Sequence, residues 1–337
     1  MTMVALAAVV VSACTDKEVT GPDNDSGMSA NRAWSVSYAG AGEIDGVSHK
    51  HTAAVISSDN NTYTITTLLA SEFSLSKLRA FGELLIEDMY SYLNNFNAEN
   101  GTSYVFADML DKGSTITALG DLYPGFYVTV AIGITPEGTL SGLYAVSPTF
   151  EVKEEDPTAL YEEWLGNWVF KGDNNISNKV VISRKIANRQ IYLTGLMGLS
   201  FSIVGEYSAE RNDIIFSAQV VEKEYVFSDG RVGEIHLLGT DRDGLFYGLN
   251  NGNYEIAIAG VIENGHRAIV RYGLNLPGYL KFKDMFLVAF IDNEYYSLGE
   301  DIPTFTGIAE LAPAGASTSS VAPKQLSLGR KVKVVNF

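Results

Sequence analysis

The sequence predicts a mainly β protein: an N-terminal β-sandwich with one inserted helix, followed by a C-terminal antiparallel meander that closes as a barrel. Two observations lead to this fold class. Most of the chain consists of short segments in which apolar and polar residues alternate, separated by Gly, Asn, Asp and Pro, which is typical of half-buried strands. One segment, residues 74–96, instead repeats its apolar residues at helical spacing.

Length and composition limit the number of domains and the class of partner. The 337 residues exceed the usual size of one domain, so we expect two. Hydrophobic residues make up 46% of the chain and charged residues 19%, which is enough for a core in each domain. The net charge of −16 repels phosphate backbones, so we expect no nucleic-acid partner.

The chain opens with an apolar run that ends at its only cysteine, Cys14. This run is too short to span a membrane and predicts a signal peptide over residues 1–13. Residues 11–14, Val-Ser-Ala-Cys, resemble the lipobox of bacterial lipoproteins, and the acidic stretch that follows resembles that of Bacteroidetes surface lipoproteins. The resemblance implies that Cys14 is lipidated, that residues 14–30 form a tether, and that outer-membrane lipid holds the protein at the cell surface.

The alternative for Cys14 is a thiol buried in a core. Polar, turn-forming residues follow it and disfavour this interpretation. With a single cysteine in the chain, disulfides within it are excluded, and the fold must rest on packing alone.

The first predicted domain spans residues 31–152. Segments 33–40 and 62–70 alternate as strands, and Ser74 is the predicted N-cap of the helix near 74–96. We predict that the apolar stripe of this helix packs in the domain core, with a groove for a partner as the alternative. The stripe consists of Leu75, Leu78, Phe81, Leu85, Met89, Leu93 and Phe96.

Residues 122–152 resemble part of a known domain family. Leu122, Pro124, Gly125 and Tyr127, followed by a Pro-Glu-Gly turn, resemble the penultimate hairpin of fibronectin type III and other immunoglobulin-like domains. In that family the tyrosine stands one residue later than Tyr127 does here. The resemblance implies an immunoglobulin-like sandwich in which Tyr127 forms the tyrosine corner.

Residues 153–163 are predicted to be a linker. Glu154, Glu155 and Asp156 precede Pro157, and such a run of acids is unsuited to burial. The same acids could ligate calcium, but they lack the spacing of a calcium loop, so a solvated linker is the favoured interpretation.

Residues 164–337 are predicted to form the barrel domain, because alternating segments flank short turns at 187–188, 209–212 and 263–266. Gly166-Asn167-Trp168 at the first strand resembles the G-x-W motif that opens lipocalin barrels. The resemblance implies a lipocalin-like barrel whose base is closed by Trp168, which would then be structural and not a ligand contact.

Catalytic and metal-binding patterns are weak in this sequence. His49 and His51 would share a face of a strand near Asp45 and could hold a metal with one more ligand, although a surface strand with two imidazoles is the simpler interpretation. Asp241 and Asp243 precede Gly244 as in the start of a calcium loop, but the flanking segments indicate a hairpin turn. We therefore predict no catalytic residue, no metal site and no cofactor.

Two functions follow from these observations. The first is a non-catalytic cell-surface lipoprotein that binds a glycan or a small apolar ligand at the barrel mouth or between the domains. The second is a structural or adhesion component that binds another surface protein and has an exposed apolar patch. A barrel with a wide, aromatic-lined mouth would favour the first function, and a barrel filled by its own side chains would favour the second.

Overall fold

The computed structural model of the chain is mainly β, which confirms the predicted class. The structure describes residues 27–171, 177–240, 245–249, 254–261, 267–271, 282, 284–298, 309–313 and 326–335. Its residues fall into two compact units, with the boundary between Glu154 and Glu155. Among the described residues, no helix is long and apolar enough to cross a membrane.

The described part of the first unit contains nine strands and one α-helix. They are β1 (Ser29–Ala30), β2 (Trp34–Ile44), β3 (Val47–Ser57), β4 (Thr62–Leu69), α1 (Leu78–Asn100), β5 (Asp111–Lys112), β6 (Thr115–Ala118), β7 (Gly125–Ile134), β8 (Leu140–Val146) and β9 (Phe150–Val152). The last residues of the predicted tether thus form β1, which pairs in parallel with β8.

Two sheets of the first unit pack face to face. One has the order β2-β3-β6, and the other has the order β1-β8-β7-β4-β5, with β9 also paired to β7. Trp34 and Val36 on β2 point into the space between the sheets and contact Tyr63 and Ala131 of the larger sheet. The chain changes sheets between β1 and β2, between β3 and β4, between β5 and β6, and between β6 and β7, so this is a sandwich with crossing connections.

Helix α1 covers the other face of the larger sheet. Its buried residues, among them Leu78, Met89 and Leu93, pack against Val130 and Ile132 of β7. The predicted helix and its packing role are therefore confirmed, although a 3-10 turn (Leu75–Lys77) precedes the α-helix and Leu75 is exposed. Ser74 stands before that turn, but its side chain makes no capping hydrogen bond. The helix ends at Gly101, whose positive φ of 63° suits glycine.

The described part of the second unit contains fifteen strands and a short helix. They are α2 (Ala159–Glu162), β10 (Gly166–Lys171), β11 (Ser177–Ile186), β12 (Gln190–Thr194), β13 (Ser202–Ser208), β14 (Asp213–Ser217), β15 (Gln219–Val226), β16 (Val232–Thr240), β17 (Phe246–Tyr247), β18 (Glu255–Val261), β19 (Arg267–Arg271), β20 (Asp284–Ile291), β21 (Glu294–Leu298), β22 (Ala309–Pro313), β23 (Leu328–Lys331) and β24 (Val334–Val335).

Eight of these strands form a closed ring in the order β10-β11-β12-β13-β14-β18-β19-β22, in which β22 pairs back to β10. The remaining strands form a second sheet with the order β23-β21-β20-β16-β17-β24, and β15 is paired to β16. The prediction of a single meander therefore differs from the structure, because the chain leaves the ring after β14 and again after β19.

Gln219 stands where the chain first leaves the ring, as the first residue of β15. Its side-chain amide donates to the carbonyl of Val204 and accepts from the Val204 N–H, both at 2.9 Å. These two bonds join the start of β15 to β13, while the backbone of β15 pairs with β16. The two sheets nevertheless share one core, in which Ile235 and Leu287 of the second sheet join residues of the ring.

Candidate functional site

Three aromatic side chains are buried where the second unit begins. The indole N–H of Trp168 donates to the carbonyl of Trp164 at 2.8 Å, and the indole N–H of Trp164 donates to Oδ1 of Asn212 at 3.0 Å. Tyr161 on α2 donates its hydroxyl to the carbonyl of Gln190 at 2.7 Å. All three rings are buried in the core of this unit, so Trp168 acts here as a structural residue.

The segment predicted as a linker, residues 153–163, is partly folded in the structure. The acids Glu154, Glu155 and Asp156 are exposed, but the segment also contains α2 and the buried Tyr161. Asn188 ties this segment to the second unit, since its side chain accepts from the Thr158 N–H and donates to the Asp156 carbonyl.

Buried side chains of the ring belong to one packed cluster. Six of the eight ring strands, β10 to β14 and β18, each contribute at least two buried apolar residues to it. They are Trp168, Phe170, Val180, Ile182, Ile191, Leu193, Ile203, Tyr207, Ile214, Phe216, Ala257 and Ala259. An eight-stranded barrel is just wide enough for its side chains to fill it, and these residues are of the required size.

Gly205 shows how tight this packing is. A Cβ atom built at this glycine would lie 2.5 Å from Cγ2 of Ile214, 2.9 Å from Cε1 of Phe216 and 3.2 Å from Cδ1 of Ile191. Such distances are shorter than van der Waals contact, so neighbouring side chains occupy the space that a methyl group would need. The described side chains around Gly205 are therefore closely packed.

The three-stranded sheet of the first unit offers a different kind of surface. Because side chains alternate along a strand, the residues next to the buried Trp34 and Val36 point away from the sandwich. We call this surface the outer face and define it by Ser35, Ser37, Ala39, Ala54, Ile56 and Ile116. Ile56 is 65% exposed and Ile116 is 58% exposed, and none of the six residues is charged. In a chain with a net charge of −16, this is a distinctive neutral patch.

Tyr127, the residue expected to form a tyrosine corner, is hydrogen-bonded to the main chain. The Tyr127 hydroxyl donates to the carbonyl of Tyr123, four residues earlier, at 2.9 Å. Tyr127 lies near the start of β7 and packs with Leu122 and Val152 at one end of the sandwich. The bond fixes the loop that leads into β7.

The two histidines considered as metal ligands lie on β3 and are both partly buried. Nδ1 of His51 lies 2.8 Å from the hydroxyl of Tyr38, and the Tyr38 ring stacks on Phe150 with centroids 4.0 Å apart. Asp45 occupies the turn that joins β2 to β3. In the part of the chain that the structure describes, no group of three or more His, Cys, Asp or Glu side chains is arranged to hold a metal ion.

A buried titratable cluster in the second unit was not expected from the sequence. His236 on β16 is 3% exposed, and its Nε2 lies 2.6 Å from Oε2 of Glu234. Its Nδ1 lies 3.3 Å from the hydroxyl of Tyr295, and its ring stacks on Phe290. Burial lowers the pKa of His236, and Glu234 offsets only part of this effect. Burial likewise raises the pKa of Tyr295.

Three residues with an expected role lie outside the described residues. They are Cys14, the predicted lipidation site, and Asp241 and Asp243, which were considered as the start of a calcium loop.

Comparisons of the chain with protein-family models, with curated proteins and with solved structures find no match.

Proposed function

We propose that this protein is a non-catalytic surface lipoprotein, anchored in the bacterial outer membrane through lipid on Cys14, that serves as a structural or adhesion component. It binds another surface protein and not a small ligand. The observation that carries this choice is the packed ring interior, in which Ile191, Ile214 and Phe216 already fill the space beside Gly205. A barrel whose interior is occupied by its own side chains has no room for a ligand, so in this proposal it serves as a rigid body and the binding surface lies on another part of the protein.

The outer face of the first unit is the binding surface in this proposal. Ile56 and Ile116 are its two large apolar side chains, and they lie diagonally across the β3–β6 pair. Its partner is an equally uncharged, apolar surface on another protein, because burying a charged surface against the outer face would leave those charges unpaired.

We also propose a domain family for each unit. For an immunoglobulin-like first unit, the supporting observations are the two facing sheets and the hydrogen bond from Tyr127 to Tyr123. For a lipocalin-like second unit, they are the closed ring of eight strands and the buried Trp168 at its first strand. The second sheet, which the chain forms between ring strands, is a departure from an up-and-down barrel.

The anchor is tested with Cys14→Ser in the full chain. The variant is expected in the soluble fraction after cell lysis, whereas the unchanged chain stays with the outer-membrane fraction. A variant that still sediments with membranes contradicts lipidation at Cys14.

Binding is tested with the full Cys14→Ser chain added to intact bacterial cells. We expect saturable binding that is lost when the cells are first treated with protease, and no signal on a glycan array. Ile56→Lys should abolish the binding, since it places a charge in the outer face. Ser76→Lys, an exposed position in the 3-10 turn before α1, is the control and should bind normally. Binding to glycans, or binding that survives protease treatment, overturns the adhesion function and restores the ligand-binding one.

A further inference from the structure

The second sheet of the second unit curves until its two ends meet. Its outermost strands, β23 and β24, are separated in the chain only by Val332 and Lys333. In a flat sheet of this strand order, five spacings would hold the outermost strands about 24 Å apart, whereas the chain from Lys331 to Val334 reaches at most about 11 Å. We call residues 328–335 the strap, because they join the β21 end of the sheet to the β17 end.

Backbone hydrogen bonds fasten the strap at both ends of the sheet. The Val332 N–H donates to the carbonyl of Tyr295 on β21 at 3.0 Å, and the N–H of Phe246 on β17 donates to the carbonyl of Lys333 at 3.1 Å. The side chains of Val332 and Val334 pack on the apolar cluster inside the curved sheet, to which Tyr295 belongs. The strap therefore closes this cluster as well as joining the two strands.

His236 lies in the same enclosed interior. It is two residues from Leu238, a buried member of the cluster, so both side chains are on one face of β16. The residues that face His236 from the neighbouring strands are Val220 on β15, Val288 and Phe290 on β20, and Tyr295 on β21.

The charged group that contacts His236 is Glu234 of the same strand. On β15, Glu222 lies opposite Ile235, the neighbour of His236 on β16. On β21, Glu294 pairs with Lys331 of the strap. The charged side chains of the strap itself are exposed, and they are Arg330, Lys331 and Lys333. The titratable groups that face His236 directly are thus Glu234 and the hydroxyl of Tyr295.

A chain of hydrogen bonds connects His236 to both ends of the sheet. A carboxylate only accepts, so Nε2 of His236 donates to Glu234, and Nδ1 accepts from the Tyr295 hydroxyl, 3.3 Å away. The Tyr295 oxygen in turn accepts from the backbone N–H of Leu249, two residues after β17. With a neutral imidazole, each donor of this chain meets one acceptor. With a proton on both ring nitrogens, Nδ1–H and the Tyr295 O–H are two donors that point at each other.

We propose that the strap is an acid-sensitive closure: when His236 becomes an imidazolium, residues 332–335 leave β17 and β21, and the curved sheet opens. Opening lets the Tyr295 hydroxyl turn toward water and lets water solvate the charged ring. Leu328 packs against the shared core, so the strap swings away from this point and stays attached. The closure lies in the second unit, goes beyond the adhesion function proposed for the outer face and does not depend on it.

The direction of the pH effect follows from the burial of the imidazole. Burial lowers the pKa of His236 in the closed sheet, whereas a solvated histidine in the open sheet has its ordinary pKa of about 6.5. The open form therefore binds the proton first as the pH falls. Each pH unit below about 6.5 raises the ratio of open to closed molecules up to tenfold, until the pKa of the closed form is reached.

Hydrogen–deuterium exchange with mass spectrometry tests this closure on the full chain carrying Cys14→Ser, between about pH 7 and pH 5. After correction for intrinsic exchange rates, peptides that cover residues 328–335 should lose protection by up to about tenfold per pH unit below about pH 6.5. Peptides that cover residues 245–249 should lose protection in parallel, since Phe246 donates to the strap. Peptides from the ring strands β12 and β13 should keep their protection.

Three substitutions relate the effect to His236. His236→Gln should keep the strap protected throughout this pH range, because glutamine takes up no proton. Glu234→Gln should increase the opening at the acidic end of the range, because the imidazolium then loses its carboxylate partner. His49→Gln, on β3 of the first unit, is the matched control and should behave as the parent chain.

A disulfide tests the closure without changing His236. Tyr296 and Lys331 lie opposite each other on β21 and β23, so Tyr296→Cys/Lys331→Cys in the same Cys14→Ser chain should crosslink on mild oxidation. The oxidised chain should keep its strap protected in acid, and reduction should restore the loss of protection.

The proposal is overturned if the strap of the parent chain is equally protected at all these pH values, or if the acid effect persists in His236→Gln or in the oxidised double variant. It is also overturned if the ring peptides lose protection to the same extent as the strap, since the whole unit would then unfold together.

Discussion

Nε2 of His236 lies 2.6 Å from Oε2 of Glu234, two residues earlier on the same face of β16, and the imidazole is almost fully buried. Burial lowers the pKa of this histidine, against a smaller opposing effect of Glu234. Because the histidine ionises more readily in the unfolded chain, the unfolded state takes up the proton first as the pH falls. The contribution of His236 to folding is thus complete at neutral pH and decreases below about pH 6.5.

We therefore expect His236→Gln to flatten the dependence of unfolding free energy on pH between about pH 7 and pH 5. The measurement is urea denaturation of the full Cys14→Ser chain and of the variant at several pH values in this window. His49→Gln, on the partly buried histidine of β3, is the control. If the unfolding free energies of His236→Gln and the parent chain depend on pH in the same way, His236 does not contribute to the pH dependence of stability.

Asp59 holds the turn between β3 and β4 to the start of β2. Its carboxylate accepts from the side chains of Asn31 at 2.8 Å, Trp34 at 2.9 Å and Asn61 at 2.8 Å. Partial burial alone would raise the pKa of Asp59, but these hydrogen bonds outweigh it and hold the pKa well below its usual range. The stabilisation is present above about pH 4 and is lost as the pH falls toward the pKa of the folded state.

Asp59→Asn should lower the free energy of unfolding at neutral pH by about 1 kcal/mol, a figure kept small because the carboxylate is only partly buried. It should also reduce the loss of stability in acid. Chemical denaturation at neutral and acidic pH checks both effects, with the exposed Glu72→Gln as a matched removal of one carboxylate. Equal stability losses for the two variants would contradict the role given to Asp59.

Gly205→Ala tests whether the ring interior is packed. The added methyl group overlaps Ile214 and Phe216, so we expect a loss of about 1–3 kcal/mol in unfolding free energy. Gly120→Ala is the control, since a Cβ there meets no atom within 4 Å. Thermal and chemical denaturation give the comparison. A neutral Gly205→Ala variant would mean that the interior has room, which would favour a ligand-binding barrel.

Tyr127→Phe removes only the hydroxyl that donates to the Tyr123 carbonyl. We expect a loss of about 1 kcal/mol, because a hydrogen bond is lost and one acceptor is left without this donor. Tyr92→Phe is the matched control on α1, where the tyrosine is half-buried and its hydroxyl makes no hydrogen bond to the described residues. If the two substitutions have the same effect on the denaturation midpoint, the hydrogen bond from Tyr127 to Tyr123 does not stabilise the fold.

Local patterns predicted the individual elements of this fold well. The helical spacing from Leu78 to Leu93 predicts both the helix and its buried face, because a period of 3.6 residues has one structural interpretation over this length. For Trp168, the resemblance to the lipocalin G-x-W motif implied a buried ring, and the ring is buried in the structure.

Pairing between distant strands could not be predicted in the same way. Turn signals show that two strands are neighbours in sequence, but they carry no information about β14 pairing with β18 or β22 with β10. The cluster around His236 was missed for a related reason. Strand β16 is buried on both faces, so its sequence shows no alternation to single out the histidine, and Tyr295 is brought to it by strand order alone.

Closure of the ring by β10 and β22 has a consequence for the way the protein is made. The backbone of Trp168 pairs opposite Pro313 and that of Val169 opposite Ala312. The first ring strand to be synthesised, β10, therefore cannot pair on this side until the last ring strand, β22, has been synthesised. We expect this unit to fold slowly and to complete folding only after synthesis, because its contact order is high. A nascent chain that stalls before Ala309 would present β10 and β19 as two unpaired edges, which would be prone to aggregate unless a chaperone binds them.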